Sequence, residues 1–251
     1  MNHRLTITPG IPPGHRHGIE DVLKTLGYFI VGGGQMVNGA ESDISFDDSK
    51  TESKKRPLEK EKEMQPTTTL NKIKAHNPCS NGWKKLLKYL GKTTADDEPL
   101  PFSVILDSNG LEDALWCCRT ALEYDRVWRL YAVWCTRQVQ RLMTDPRSLN
   151  ALDVAERYAN GQATDEELSA AWLAAKDAEV ATFDAGASQA AQSAARAAAR
   201  TAWTGARGAG IAAFDAEVAA FDAGDTRAAG DARETARAAQ TAKFREMVSG
   251  G

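Results

Sequence analysis

The chain of 251 residues is long enough for one large domain or two smaller ones, and 42% of its residues are hydrophobic. Its net charge of -3 excludes a strong overall attraction to nucleic acid or to anionic membranes. No apolar run reaches the roughly 18 residues of a membrane-spanning helix, and the first residues, MNHRLTITPG, contain no apolar signal core. Four cysteines, two of them adjacent, do not resemble a disulfide framework. These features predict a soluble cytoplasmic protein.

Residues 1–48 alternate between strand and helix patterns. The strand patterns are residues 4–8, 28–31 and 43–46. Between the first two, residues 18–27 carry apolar side chains on one helical face and end in a glycine, which predicts a helix. We interpret the glycine triplet at 32–34 as a turn. The segment is therefore predicted to be a small α+β unit with β-α-β-β order, too small to be stable alone.

Residues 49–75 have a different composition. From residue 49 to residue 74 the chain contains eight Lys or Arg, four Glu, two Pro and few large apolar side chains. Such a segment buries too little apolar surface to offset the entropy lost on ordering. We predict a charged flexible linker, and a basic arm that binds nucleic acid is the alternative.

Residues 76–251 show helical patterns. The predicted helices cover residues 81–90, a segment that begins near residue 111, residues 124–143, and a segment that ends at Asn160-Gly161. Large side chains surround most of the 124–143 segment, which predicts the central helix of the domain. Asp145-Pro146 marks a helix start, and Thr164 with Glu167 forms a capping box.

The last third of the chain is rich in alanine and contains a repeat. Residues 170–242 include 31 alanines in 73 positions, and AEVATFDAGASQAA from Ala178 returns 38 residues later as AEVAAFDAGDTRAA from Ala216. Alanine has the highest helix propensity and lets helices approach closely. The expected breaks are Gly186, Gly205, Gly208, Gly210, Gly224 and Gly230. We predict two or three helices that arose by local duplication.

Aromatic side chains recur in this tail at spacings of 7 and 11 residues, which return to nearly the same face of a helix. One interpretation is a structural helical layer. The other is a surface for a partner protein, which includes the acidic residues of the two FDAG turns. The residues of that predicted surface are Trp172, Phe183, Asp184, Trp203, Phe214, Phe221 and Asp222.

The helical part lacks the residues of the common enzyme classes. All four histidines precede residue 77, and there is no Walker loop, HExxH motif or G-x-S-x-G elbow. Cys117, Cys118 and Cys135, with His76 and Cys79, lack the paired spacing of zinc knuckles, and buried thiols are the simpler interpretation. We predict no catalytic residue, no metal and no cofactor. An enzyme with a carboxylate or cysteine site is a third, weaker hypothesis.

Two basic features favour nucleic-acid binding as an alternative function. His15, Arg16 and His17 precede a predicted helix whose free amides attract anions. Arginines also recur on about one face of the predicted central helix, at Arg126, Arg129, Arg137 and Arg141. The competing interpretation is a salt-bridged helix face, with acidic residues such as Asp125 and Asp153 as partners.

Four stretches carry a resemblance to known proteins. They are CSNGWKKLLKYLGKT, DDEPLPFSVILDSNGLEDALWCCR, VWRLYAVWCTRQVQRLMTDPRS and ALDVAERYANGQATDEELSAAW, followed by the alanine-rich tail. They resemble alanine-rich helical proteins of phages and prophages, and the last is similar to immunity proteins that end in alanine-rich helices. The resemblance covers roughly residues 79–248. It implies an all-helical domain in a phage or mobile-element setting, inside a bacterial host cell, and implies no activity.

These observations predict a mainly α protein: an alanine-rich multi-helix domain over residues 76–251, preceded by the α+β unit and the linker. The expected function is non-enzymatic binding of another protein, whose working surface is covered. The two specific forms are an anti-CRISPR-like inhibitor of a bacterial defence system and an immunity-like neutraliser of a toxin. The alternative is a nucleic-acid-binding accessory protein that uses the basic linker and the arginine helix. A homodimer is also compatible with the alanine-rich tail, and no membrane partner is expected.

Overall fold

The computed structural model describes residues 2–7, 29–35, 42–47, 65–203, 205, 209–223 and 228–249. The chain forms two compact units, residues 1–62 and residues 63–251. The described residues are mainly helical, which confirms the predicted fold class, and all of their helices lie in the second unit.

The first unit contains a three-stranded antiparallel sheet. Its strands are β1 (Asn2–Ile7), β2 (Phe29–Gln35) and β3 (Ser42–Asp47), and β3 lies between the other two. Leu5 of β1 is the register partner of Ile44 of β3. The three predicted strands are therefore confirmed. The helix predicted at 18–27 lies outside the described residues, as do His15, Arg16 and His17.

The prediction of a turn at the glycine triplet is wrong. Gly32, Gly33 and Gly34 lie within β2 and pair with β3, directly after a register shift that follows Ile30. Glycine, which has no Cβ, is common where a strand is irregular. The triplet therefore accompanies an irregularity in the strand instead of ending it.

The second unit begins earlier than the linker prediction allows. Strand β4 (Thr67–Thr68) pairs with β5 (Leu100–Pro101), and helix α1 (Leu70–Ala75) follows it. Leu70 and Ile73 are buried in the main core, so residues 65–75 are folded and not part of a linker. The composition of this segment predicted a linker because it contains few apolar residues. Two of them, three positions apart, are enough to hold it in the fold, because distant helices supply the rest of the core. Residues 49–64 lie outside the described residues.

In the described part of the chain, five further helices lie between α1 and the alanine-rich tail. They are α2 (Ser80–Leu90), α3 (Phe102–Asn109), α4 (Leu111–Cys117), α5 (Asp125–Arg137) and α6 (Pro146–Ala159). The predictions for α2, α4 and α6 are confirmed, including the Asp145 side chain that caps α6. Helix α3 was not predicted, because it is short and its FSVIL start is also typical of a strand.

Helix α5 lies at the centre of the main core, as predicted, although it ends at Arg137 and not at residue 143. Trp128 is fully buried, and its ring lies 4.7 Å from that of Phe102 and 6.0 Å from that of Phe244, measured between centroids. Phe244 also contacts Tyr131 edge to face at 5.3 Å. Aromatic contacts thus join α5 to α3 and to the last helix of the chain.

The alanine-rich tail forms four helices, not the two or three predicted. They are α7 (Asp165–Asp184), α8 (Gln189–Trp203), α9 (Ala209–Asp222) and α10 (Ala228–Val248). The capping box at Thr164 and Glu167 is confirmed, with both of its hydrogen bonds present. Gly186, with a φ of 63°, ends α7 as predicted. Gly210 and Gly230 lie inside helices, so they are not breaks.

The sequence repeat corresponds to a helical hairpin. A shift of 38 residues places Asp184, the last residue of α7, on Asp222, the last residue of α9, so the α7–α8 pair recurs as α9–α10. The buried alanines of the two copies are also equivalent: Ala171, Ala175 and Ala178 in α7, and Ala209, Ala213 and Ala216 in α9. Both copies therefore bury the same alanine face.

Helix α8 is packed between α7 and α9 and also contacts α5 and α6. Ten of its fifteen residues are buried, and all ten are Ala, Ser or Thr. Small side chains let the neighbouring helix axes approach closely. A 2.8 Å hydrogen bond between the hydroxyls of Thr136 and Thr201 joins α5 to α8. Helix α8 is therefore the central helix of the tail, and it contacts its neighbours through small side chains.

Candidate interaction surface

Helix α7 presents an apolar stripe to solvent. Leu173, Val180 and Phe183 are 54%, 55% and 68% exposed. They are separated by seven and three residues, so they share one helix face, opposite the alanines that α7 buries. We call these three residues the α7 stripe. More than half of each side chain is in water, on a helix whose other face is held in the fold.

An acidic edge runs along the α7 stripe. Glu166, Asp177 and Asp184 are exposed, and helical geometry of about 100° per residue places each within roughly 60° of Val180. Lys176 lies within the row, between Leu173 and Val180, and pairs with Glu179 at 2.9 Å. The α7 stripe therefore has carboxylates along one edge and one paired lysine among its three apolar residues.

Helix α9 presents the second copy of this pattern. Ile211, Phe214 and Phe221 are all exposed. The shift of 38 residues places Ile211 on Leu173 and Phe221 on Phe183, while Phe214 replaces Lys176. The duplication has therefore preserved two of the outward apolar positions as well as the buried alanines, while Val218, the equivalent of Val180, is half-buried.

Two of these exposed residues of α9, Ile211 and Phe214, border a groove between α4, α9 and α10. The groove has a volume of about 220 Å³, and its walls include Trp116 and Phe214. The Arg119 guanidinium lies 4.6 Å from the centre of the Trp116 ring, and that of Arg233 lies 5.9 Å from that of Phe214. This apolar surface on α9 therefore has arginines beside it.

Glu217 lies at the floor of the groove. It is 4% exposed, and its Oε2 has no hydrogen-bond partner among the described residues. Arg233 Nε and Arg237 Nη1 lie 3.6 and 3.8 Å from that oxygen. Burial raises the pKa of Glu217, and these two arginines oppose the rise. The arginines beside the groove thus partly neutralise a carboxylate of the protein itself.

The predicted partner residues divide into two groups. Phe183, Asp184, Phe214 and Phe221 lie at the surface, as a binding role requires. The prediction is wrong for Trp172 and Trp203 as exposed anchors: their rings pack 4.1 Å apart between α7 and α8, and both are half-buried. Asp222 is half-buried and accepts a hydrogen bond from Ser193. These two tryptophan rings fill the space between α7 and α8 that the small alanine side chains leave.

Sequence reasoning missed Leu173, Val180 and Ile211, because it followed only the aromatic side chains. The signal was present in the repeat itself. Two aligned copies show which apolar positions recur, and equivalent positions that are not alanine lie outside the alanine-packed face. Comparing copies in this way would have added these aliphatic positions to the predicted surface.

The four arginines predicted for the central helix make contacts within the second unit, and Arg141 lies beyond the end of α5. Arg129 is buried, pairs with Asp125 at 3.2 Å and lies over the Tyr158 ring, so it is not part of an exposed basic ridge. Arg137 forms ion pairs with Asp153 and Glu156. The remaining two are bonded to the chain as well: Arg126 donates to Asn160, and Arg141 to the Gln138 carbonyl. These contacts match the salt-bridged interpretation of this helix face.

The three clustered cysteines are buried thiols. Burial raises the pKa of Cys117 and Cys135 to about 12 and that of Cys118 well above its ordinary value, so all three are protonated at neutral pH. A nucleophilic cysteine requires the thiolate. Within the described residues, His, Cys, Asp and Glu form no group of three or more that fits a metal ion.

Asp215 on α9 makes the stability depend on pH. It is 6% exposed, and Oδ2 has no hydrogen-bond partner among the described residues. Burial raises its pKa to about 6; Arg196 and Arg200 oppose the rise, and Glu179 adds to it. The unfolded chain releases this proton near pH 4, so between about pH 4 and 6 the unfolded state binds fewer protons and stability falls as pH rises.

We therefore expect Asp215→Asn to be close to the parent in stability at pH 4 and more stable by about 1–2 kcal/mol above pH 7. Urea unfolding at several pH values between 4 and 8 measures the difference. Asp231→Asn, on the exposed face of α10, is the control and should change stability little at any pH. A difference between Asp215→Asn and the parent that is the same at every pH would contradict the prediction.

Comparisons of the chain with models of protein families, with curated proteins and with solved structures find no match. Among the described residues, none of the helices has the length and apolar content that crossing a bilayer requires. The feature of the second unit that stands out geometrically is the repeated apolar stripe, with an acidic edge on α7 and arginines beside α9.

Proposed function

We propose that this protein is a non-enzymatic binding protein that holds a basic amphipathic helix of another protein against the α7 stripe. The observation that carries the proposal is the exposure of Leu173, Val180 and Phe183 in one row on a helix whose opposite face is packed. Apolar anchors at such spacing are the usual contacts between a bound helix and its partner. Burying them removes apolar surface from water, which favours association.

The acidic edge defines the chemistry of the partner. Glu166, Asp177 and Asp184 give the stripe a negative border. A partner helix with Lys or Arg beside its apolar face would meet these carboxylates, whereas an acidic helix would be repelled. Charges at the rim of an interface act mainly on association rate and specificity, so the apolar anchors supply most of the affinity.

In this proposal the protein acts by binding its partner and not by catalysing a reaction. The buried, protonated thiols and the salt-bridged arginines both serve packing. A rigid helical body that covers a partner's working surface would act as an inhibitor of a bacterial defence system or as a neutraliser of a toxin. The resemblance of residues 79–248 to phage and immunity-like proteins supports these two settings.

A double variant, Leu173→Asp with Val180→Asp, is expected to abolish binding while leaving the fold intact. Both residues are exposed, so the free energy of unfolding should change by only about 0.5 kcal/mol. Two carboxylates in place of the apolar anchors should weaken partner binding at least tenfold. The control is Ala238→Asp with Ala239→Asp, which adds the same charge to an exposed face of α10 and should bind like the parent.

The measurement has two stages. A synthetic Leu/Lys amphipathic peptide of about 18 residues is first titrated against the parent and both double variants, with a Leu/Glu peptide as the opposite charge pattern. A tagged protein is then used to capture partners from a bacterial lysate with and without nuclease, and the segment that binds is mapped and titrated in purified form. Stronger binding of the basic peptide, lost only in the α7 variant, supports the proposal.

Several outcomes would overturn it. Equal binding of both peptides, or binding that survives the α7 variant, would remove the stripe as the site. Self-association that the α7 variant abolishes would make a second copy of the chain the occupant. Partners that disappear with nuclease would favour nucleic acid instead, and their affinity would fall steeply with salt.

A further inference from the structure

A second site, away from the stripes, lies beneath the first turn of α2. It is a cavity of about 80 Å³ bounded by the α1–α2 connection and by α2, α3 and α4. Two indole rings, Trp83 and Trp116, form part of its wall, together with apolar side chains such as Ile105. The polar groups of the lining include Asn109, Asp113 and the Cys79 thiol.

Asp113 brings a negative charge to this cavity without a cation beside it. Its Oδ2 accepts a 2.6 Å hydrogen bond from Asn109 Nδ2, which also donates to the Gly82 carbonyl at 2.9 Å. Among the ion pairs of the described residues, none includes Asp113. The charge also acts on Cys117, whose pKa Asp113 raises, after the larger effect of burial.

Gly82 is the residue that admits the carboxylate. A Cβ on Gly82 would lie 2.6 Å from Asp113 Oδ2, closer than such atoms approach, and 3.1 Å from Cys79 Sγ, which is a tight contact. The absence of a side chain at this position therefore lets the carboxylate lie against the first turn of α2. This placement is favourable because a helix N-terminus attracts negative charge.

The Trp83 indole adds a second attraction for positive charge, and Trp116, whose ring already contacts Arg119, adds an apolar wall. The face of a tryptophan ring is negative and binds ammonium or guanidinium groups. Trp116 lines both this cavity and the groove beside α9. Arg119 lies over the Trp116 ring, but of these two spaces it lines only the groove. The cavity thus has aromatic walls and a carboxylate, without an arginine or lysine in its lining.

The size and lining of the cavity select the ligand class. One water molecule requires about 10–15 Å³ of cavity volume, so this cavity holds a group of roughly five to eight heavy atoms. Hard metal ions require several oxygen ligands, whereas most of this lining is apolar. An alkylated ammonium group suits both the size and the mostly apolar lining of the cavity. Its methyl groups would pack on the rings, and its charge would face Asp113.

We propose that this cavity binds a small organic cation of the alkylated ammonium class, with Asp113 as counter-charge and Trp83 and Trp116 as aromatic walls. The cation belongs either to a free small molecule or to a methylated lysine side chain of a peptide. The site is independent of the α7 stripe, which consists of other residues on another helix.

The test is a titration of the full chain with choline, followed by the indole N–H signals of Trp83 and Trp116 in NMR. The expected result is saturable binding that shifts these two signals. The neutral isostere 3,3-dimethyl-1-butanol should bind at least tenfold more weakly, since it has the same shape without the charge. Peptides with trimethyl-lysine or unmodified lysine form the second arm and show whether a side chain is the source.

Asp113→Asn should weaken choline at least tenfold and leave the neutral isostere unchanged, while Asp231→Asn should behave like the parent. The isostere comparison needs no variant, so it decides the proposal even if Asp113→Asn fails to fold. Equal binding of choline and the isostere, shifts confined to other tryptophans, or no saturable binding of choline or the trimethyl-lysine peptide would overturn it.

Discussion

Replacement of Trp128 by alanine is expected to lower the free energy of unfolding by about 3–5 kcal/mol, the largest loss among single substitutions considered for this protein. Trp128 is fully buried, and its ring contacts Phe102 and Phe244. Its Nε1 donates a 2.9 Å hydrogen bond to the Ala121 carbonyl. The substitution would leave a cavity between three helices and remove one of the two hydrogen bonds that the Ala121 carbonyl accepts, the other coming from the Tyr124 N–H.

Urea or thermal unfolding followed by circular dichroism measures this loss. Trp134→Ala provides the control on the same helix, since Trp134 is only half-buried and should lose clearly less stability. Trp128→Phe separates the two contributions, because it keeps most of the packing and removes the hydrogen bond. Equal losses for Trp128→Ala and Trp134→Ala would show that the aromatic cluster is not the centre of the core.

The second large effect is expected for Ala198→Leu, in the centre of α8. Ala198 is fully buried, and the other buried positions of α8 contain only small side chains. Leucine adds three carbon atoms where helices are packed through alanine. The neighbouring helices would have to move apart, so we expect a loss of about 3 kcal/mol in the free energy of unfolding.

The same substitution at Ala238 is the matched control. Ala238 is exposed on α10, where leucine meets solvent and should change stability by less than about 0.5 kcal/mol. Unfolding of both variants and the parent, measured by the same method, gives the comparison. If Ala198→Leu were as stable as Ala238→Leu, the helices around α8 would be separated by more space than the structure shows.

These two expectations also separate stability from binding. The aromatic cluster around α5 and the alanine contacts around α8 hold the second unit, while the α7 stripe contributes little to the fold because it lies in water. Variants of the stripe should therefore change binding without changing stability. Variants of the core should lower stability, and they should weaken binding only because less of the protein is folded.

Local features of this protein were determined by the sequence itself. The capping box at Thr164, the Asp145-Pro146 start of α6 and the Gly186 stop of α7 all appear where the sequence predicts them. Each depends on a few neighbouring residues, so a short window contains the complete signal. The helical class follows for the same reason, since alanine favours helix in almost any surroundings.

Features that join distant parts of the chain were decided by the tertiary structure alone. Leu70 belongs to the core because residues far along the chain cover it, although its own segment has a linker composition. Arg129 is buried beside the Tyr158 ring of α6, and Trp172 is partly withdrawn from solvent because Trp203 lies against it. A one-dimensional pattern does not contain these pairings.

The candidate sites show the same division. The sequence alone determined that a stretch of the tail recurs 38 residues later and that the helices there are made of alanine with a few larger side chains. Only the packing decided which of those side chains point outward on α7 and α9, and that Asp113 lies beside two tryptophans from different helices. The physical reason is that periodicity defines the faces of a helix, whereas the neighbours that cover a face depend on how distant helices meet.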